Sequence, residues 1–193
     1  MDSVNEQATA FGYKCGWLAI RSSDPNDVIV RLGIRGPRTL PWHEGIEAAY
    51  EGYDTDAVYV TPAIDGWVLV VGTSLFSVVG DQMDDEARLP AFVASLSASL
   101  GTVVQYLATH RVSESHVWIL ADKGRLVRAF SVGEGEVAFD QGERTPVEKQ
   151  LGNWQSDQAT EEMVMQVASG WSVNPLTLDQ KRLPRGWLGT YRP

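Results

Sequence analysis

The octapeptide Lys14-Cys15-Gly16-Trp17-Leu18-Ala19-Ile20-Arg21 decides the fold. Alternation puts Cys15, Trp17 and Ala19 on one face of a strand and Gly16, Leu18 and Ile20 on the other. Both faces are apolar, which predicts a central strand. Immediately downstream, Asp24-Pro25-Asn26-Asp27 supplies a helix start. Asp24 can accept from the free N–H groups, and Pro25 suits the first helical position, where its missing N–H costs nothing. Val28, Ile29 and Leu32 give the buried stripe and Gly33 the stop. Gly36-Pro37 and Pro41 predict a loop, followed by a short helix over residues 44–50 with Ile46, Ala49 and Tyr50 inward and the glutamates toward water.

Farther out, residues 57–61 and 66–71 read as a hairpin joined by Pro62-Ala63-Ile64-Asp65. Residues 81–86 read as an acidic loop. Phe92, Val93, Leu96 and Leu100, with Gly101 behind them, predict a helix over residues 89–100. Residues 103–109, 115–121 and 125–132 alternate as an antiparallel meander, with one more strand at 136–140. Thr145-Pro146-Val147-Glu148 is a capping box for a short helix. Thr160 caps a second helix over 161–169, with Met163, Val164 and Val167 inward and Gly170 ending it. The tail after Asn174-Pro175 carries Lys181, Arg182, Arg185 and Arg192, and its Leu183, Trp187 and Leu188 are expected to staple it to the body.

Residues 1–109 thus give strand, helix, strand, strand, helix, strand. That is the βαββαβ (ferredoxin-like) order of a mainly antiparallel sheet, here extended by a β-hairpin and followed by C-terminal helices. Right-handed crossovers would set its first and last strands side by side in the middle, with the meander at one edge. The expectation is a single α+β domain over residues 1–193, with a flexible start at 1–10 and a tail at 174–193 packed on the body. Such a fold does not choose among functions.

Composition excludes several classes. The 193 residues are 44% hydrophobic and 21% charged, far from a disordered composition. Cys15 is the single cysteine, which rules out an intramolecular disulfide or a multi-thiolate metal cage and points to a reducing cytoplasm. Residues 1–10 are polar and acidic, unlike a signal segment, and the apolar run at 67–71 is too short to cross a bilayer. The net charge of −9 is uneven: residues 1–38 carry +1, residues 39–87 carry −10 with no Lys or Arg, and residues 88–193 carry 0. A segment so acidic repels nucleic acid and anionic lipid, and attracts a basic protein or a divalent cation. Solubility alone is the plainer account of the same charge.

Candidate chemistry is sparse. No H-E-x-x-H, G-x-S-x-G or phosphate loop is present, and no cofactor is implied. His110, Glu114 and His116 flank a tight connection between two strands, a set that can hold zinc or non-haem iron or act as a base, unless the histidines are structural. Cys15, on a strand apolar on both faces, reads as a buried hydrophobe rather than a nucleophile. Asp81, Asp84, Asp85 and Glu86 lack the spacing of an EF-hand. Of seven tryptophans, Trp17, Trp67 and Trp118 are assigned to the core and Trp42 to an interface, beside His43 and Tyr50.

The runs Gly12-Tyr13-Lys14-Cys15-Gly16-Trp17-Leu18-Ala19, Asp65-Gly66-Trp67-Val68-Leu69-Val70-Val71-Gly72, Gln105-Tyr106-Leu107-Ala108-Thr109-His110-Arg111-Val112 and Gly170-Trp171-Ser172-Val173-Asn174-Pro175 carry a resemblance across most of the chain. The sequence resembles a family of uncharacterised bacterial proteins similar to the cytoplasmic immunity proteins that accompany secreted antibacterial toxins. The resemblance implies a toxin-binding protein and supplies no site residues. Two expectations follow. The first is an immunity-type inhibitor of a cognate toxin with a basic surface, docking through Trp42, His43, Glu44, Glu47, Tyr50, Glu51, Asp54, Asp56, Asp81, Asp84, Asp85 and Glu86, with no nucleic acid or membrane as partner. The alternative is a metal-dependent or histidine-based enzyme centred on His110, Glu114 and His116.

Overall fold

A computed structural model of the chain describes residues 5–51, 55–77, 88–155 and 158–192. The strand that the opening octapeptide predicts is β2 (Cys15–Arg21), buried from Cys15 to Ile20. It runs antiparallel to β5 (Trp67–Gly72) on one side and to β6 (Val103–His110) on the other, with Trp17 opposite Val71 and Leu107. The sheet extends beyond β6 through β7 (Ser115–Asp122), β8 (Arg125–Gly133) and the edge strand β9 (Glu136–Gln141). Beyond β5 lie β4 (Ala57–Val60), β11 (Gly186–Thr190) and the opposite edge strand β3 (Arg35–Leu40), making nine strands. The fold is therefore α+β with an antiparallel sheet.

Two separate cores follow from the alternation. Leu18 and Ile20 join Val68, Val70, Val104 and Ile119 under α1 (Pro25–Leu32) and α4 (Leu89–Leu100). Cys15, Trp17 and Ala19 join Leu69, Leu107, Trp118 and Phe130 under α2 (Trp42–Tyr50) and α6 (Glu161–Trp171). The short helices α3 (Thr73–Ser77) and α5 (Pro146–Gln150), the 3-10 turn Pro175–Gln180 and the two-residue pair β1 (Glu6–Gln7) and β10 (Arg182–Leu183) complete the described elements.

The local signals act as physical chemistry requires. Asp24 accepts from the Asn26 N–H at 2.9 Å, and Gly33 and Gly101 end their helices at φ +68° and +64°. Thr145 and Glu148 close a capping box, and Thr160 caps α6. Pro41 offers α2 no capping side chain, and a carboxylate from far away takes that role: Glu6 Oε1 accepts the Trp42 N–H at 2.6 Å. Residues 5–10, expected within a flexible start, are held by this bond and by the β1–β10 pairing.

Several expectations are corrected. Residues 35–40 form a strand instead of a loop, because the C-terminal tail supplies β11 as its partner. Pro37 is tolerated there since the other side of β3 is an open edge. Within the tail, β11 is a sheet strand between β3 and β4. With β3 and α2 interposed between α1 and β4, the chain departs from a plain βαββαβ order. Gly170 does not end α6, which continues to Trp171; a Cβ there would stand 2.3 Å from Val147 Cγ2, so the residue serves close packing against α5.

Gly45 plays the same part in α2, where a Cβ would lie 2.1 Å from the Tyr59 ring. Helix propensity alone favours alanine over glycine by about 1 kcal/mol. Packing reverses that sign: Gly45→Ala is expected to lower unfolding free energy by about 1–3 kcal/mol, read from the urea midpoint. A stabilised variant would show that α2 does not sit this close to β4.

Candidate functional site

Helix α2 organises the acidic stretch. Trp42, Gly45, Ile46 and Ala49 are buried against the sheet, which leaves His43, Glu44 and Glu47 exposed on the outer face and Glu51 exposed at its C-terminal end. His43 Nδ1 lies 3.7 Å from a Glu47 oxygen, an exposed pair one turn apart. Other acids of the stretch are already partnered by the basic tail: Asp65 with Lys181 at 2.7 Å and Asp56 with Arg192 at 3.1 Å. Asp54, Asp81, Asp84, Asp85 and Glu86 lie outside the described residues.

The two aromatics expected in an interface do not stand there as a patch. Trp42 is fully buried, its indole N–H donating to the Pro184 carbonyl at 2.8 Å and its ring edge-on to Tyr59 at 5.5 Å. As the first residue of α2 it points inward, which the expected start at residue 44 had concealed. Tyr50 is half-buried; its hydroxyl accepts from the Gly12 N–H at 3.1 Å and donates to the Tyr13 carbonyl at 2.8 Å. Burial, then the neighbouring Cys15, pushes its ionisation upward.

The metal triad is not assembled. Thr109 pairs with His116 across β6 and β7, so His116 and Thr109 share the α6 face while His110, one residue on, belongs to the other. His110 Nδ1 lies 3.0 Å from Ser113 Oγ, within its own turn. Among the described residues no group of three His, Cys, Asp or Glu side chains is placed to hold a metal. His116 is buried, with Nδ1 2.9 Å from Thr109 Oγ1, so the Thr109 hydroxyl holds the ring. It lines an open groove of about 680 Å³ with Arg111, Glu114, Glu161 and Glu162. Burial lowers its affinity for a proton, opposed in part by Glu114. Cys15 is fully buried, and desolvation pushes its thiol up to about 12 despite the Tyr50 hydroxyl 3.2 Å away. It is a core residue and not a nucleophile.

An unforeseen polar cluster lies beneath α5. Arg128 and Glu148 are both fully buried, with Arg128 Nε donating to Glu148 Oε1 at 2.8 Å. The Trp118 indole donates to the same oxygen at 3.0 Å, and Thr145 donates to Glu148 Oε2 from its N–H and hydroxyl at 2.8 and 2.9 Å. Arg128 Nη1 reaches Asp140 and the Gln141 carbonyl on the neighbouring chain segment. One carboxylate thus completes a helix cap and neutralises a buried cation, which makes the cluster a structural clamp between β8, β9 and α5. The available sequence signal was an arginine in register with Phe130 and Val132 on a core-facing strand.

Comparison with protein-family models, curated proteins and solved structures finds no match for this chain.

Two outcomes are expected. Glu148→Ala, which strands Arg128, should cost about 3–5 kcal/mol in chemical denaturation, whereas Arg128→Met with Glu148→Leu should cost less. An equal or greater loss in the double variant would contradict the clamp. For His116, the folded state resists protonation that the unfolded chain accepts near its ordinary value of 6.5. Its contribution to stability is complete above that pH and declines as pH falls toward the lower folded value. His116→Gln should flatten the slope of unfolding free energy against pH just below 6.5; an unchanged slope would contradict the burial effect.

Proposed function

We propose that this chain is an immunity-type binding protein that neutralises a cognate antibacterial toxin in the cytoplasm, docking the outer face of α2 on a basic surface of that toxin. The observation that carries the reading is the rigid display of Glu44, Glu47 and Glu51 on and at the end of one helix, in a stretch with no Lys or Arg. The tail's cations neutralise Asp56 and Asp65 and leave these three carboxylates without a cation of that tail. A fixed acidic face steers a basic partner and holds its register.

The loss of Trp42 and most of Tyr50 to the interior sharpens the mode of binding. Without an aromatic anchor, association depends on charge and is sensitive to salt. His110 and His116 occupy opposite faces of the sheet, which favours the binding reading over a metal centre at these residues. No helix among the described residues is long and apolar enough to cross a membrane.

The test co-expresses the chain with candidate toxins encoded by neighbouring genes and measures protection of growth, then association by stopped flow. Charge reversal at Glu44, Glu47 and Glu51 is expected to slow association about tenfold or more and to remove most of its salt dependence. Undiminished protection and association would overturn docking through α2; absence of protection by the unaltered chain would overturn the immunity role.

A further inference from the structure

Strand β3 contains Arg35 and Arg38, three residues apart, which simple alternation would send to opposite faces. The register prevents this. Arg38 pairs with Leu188 and Arg35 with Thr190, and the shift between those pairs falls at Gly36 and Pro37 opposite Gly189. Gly36 takes φ +59°, a left-handed conformation natural to glycine, and the irregularity returns Arg35 to the face of Arg38. Ile34 packs into the core under α1, which fixes both arginines on the α2 side.

Both side chains line one groove of about 600 Å³ between the sheet edge and α2. Its apolar surface comes from Ala48, Ala57 and Leu188. Glu51 also lines it, yet neither arginine makes an ion pair with it or with another described residue. Arginine on an edge strand guards against edge-to-edge pairing. That role requires no bulge and no groove, whereas two arginine side chains lining one groove with an apolar wall fit an oxyanion carried on a hydrocarbon body.

We propose that this groove binds a small molecule with a carboxylate or phosphate head and a short apolar stem, the head held by Arg35 and Arg38 and the stem against Leu188. The site does not rest on toxin docking, although Glu51 at its border also belongs to the proposed docking face. It also predicts local attraction of an anion by a chain whose net charge is −9, so binding must come from direct contact and not from the long-range field.

Titrations followed by amide NMR, using hexanoate, hexyl phosphate, acetate and hexanol as probes, test it. Hexanoate or hexyl phosphate should shift the Gly36, Gly189 and Thr190 amides saturably, and comparison of the two identifies the preferred head. Acetate and hexanol, each lacking one half, should bind about tenfold more weakly or worse. Arg35→Ala and Arg38→Ala remove exposed side chains, so the spectrum should remain that of the folded chain, and each should weaken binding about tenfold. The proposal is overturned if neither long-stem probe perturbs these amides at millimolar concentration, or if the double variant binds as the unaltered chain does.

Discussion

Every element of this chain answers to one constraint: β2 is apolar on both faces and must be covered on both. Antiparallel sheets commonly leave one face to water, and a nine-stranded one with two dry faces needs helices on each side. The chain meets this by sending α1 and α4 to the Leu18 face and α2 and α6 to the Trp17 face. The second face is the more demanding, because it must accommodate Trp17, Trp42, Trp118 and Trp154 together. Glycine resolves the crowding where helices descend on bulky neighbours, at Gly45 over Tyr59 and at Gly170 over Val147.

The position of α2 depends in turn on the two ends of the chain. Glu6 caps its first N–H and accepts from Arg185 Nε at 3.1 Å, while Pro184 accepts from the Trp42 indole. Tyr59 is pinned by the Gly186 N–H at 2.8 Å. Apart from the Glu6–Trp42 bond, these join residues separated by more than a hundred positions, so α2 gains its final setting only after β11 has entered the sheet. Such non-local pairing forms slowly. Once formed, it presents the outer face of α2 with little freedom left to lose, which is the condition for binding without a large ordering cost.

What was legible in the sequence was whatever a short window contains. The central strand, the caps at Asp24, Thr145 and Thr160, the glycine stops at Gly33 and Gly101 and the meander all declare themselves within a few residues. What was hidden depends on partners far away. Residues 35–40 look like a loop until β11 arrives to pair with them. Gly170 looks like a terminator because the need for closeness to Val147 has no local mark. The histidine set failed on register: proximity across a turn says nothing about faces, and one residue separates them. Glu148 was read as a cap alone, since nothing nearby announces that Arg128 shares its carboxylate.

The acidic stretch gains a different meaning from the same logic. A deficit of ten charges over residues 39–87 suggests a broad negative field. At physiological ionic strength, however, exposed charges act over a screening length of about 8 Å, so a partner feels only the carboxylates that stand close together. Asp56 and Asp65 are met by Arg192 and Lys181 from the tail. On α2, Glu44, Glu47 and Glu51 remain exposed, and beyond the C-terminal end of that helix Arg35 and Arg38 reverse the sign. The surface is therefore patterned, with an acidic helix face bordered by a basic groove. A partner matched to that pattern would be selected by its own arrangement of charges and not by its net charge, because a uniformly basic surface would meet repulsion where the arginines stand.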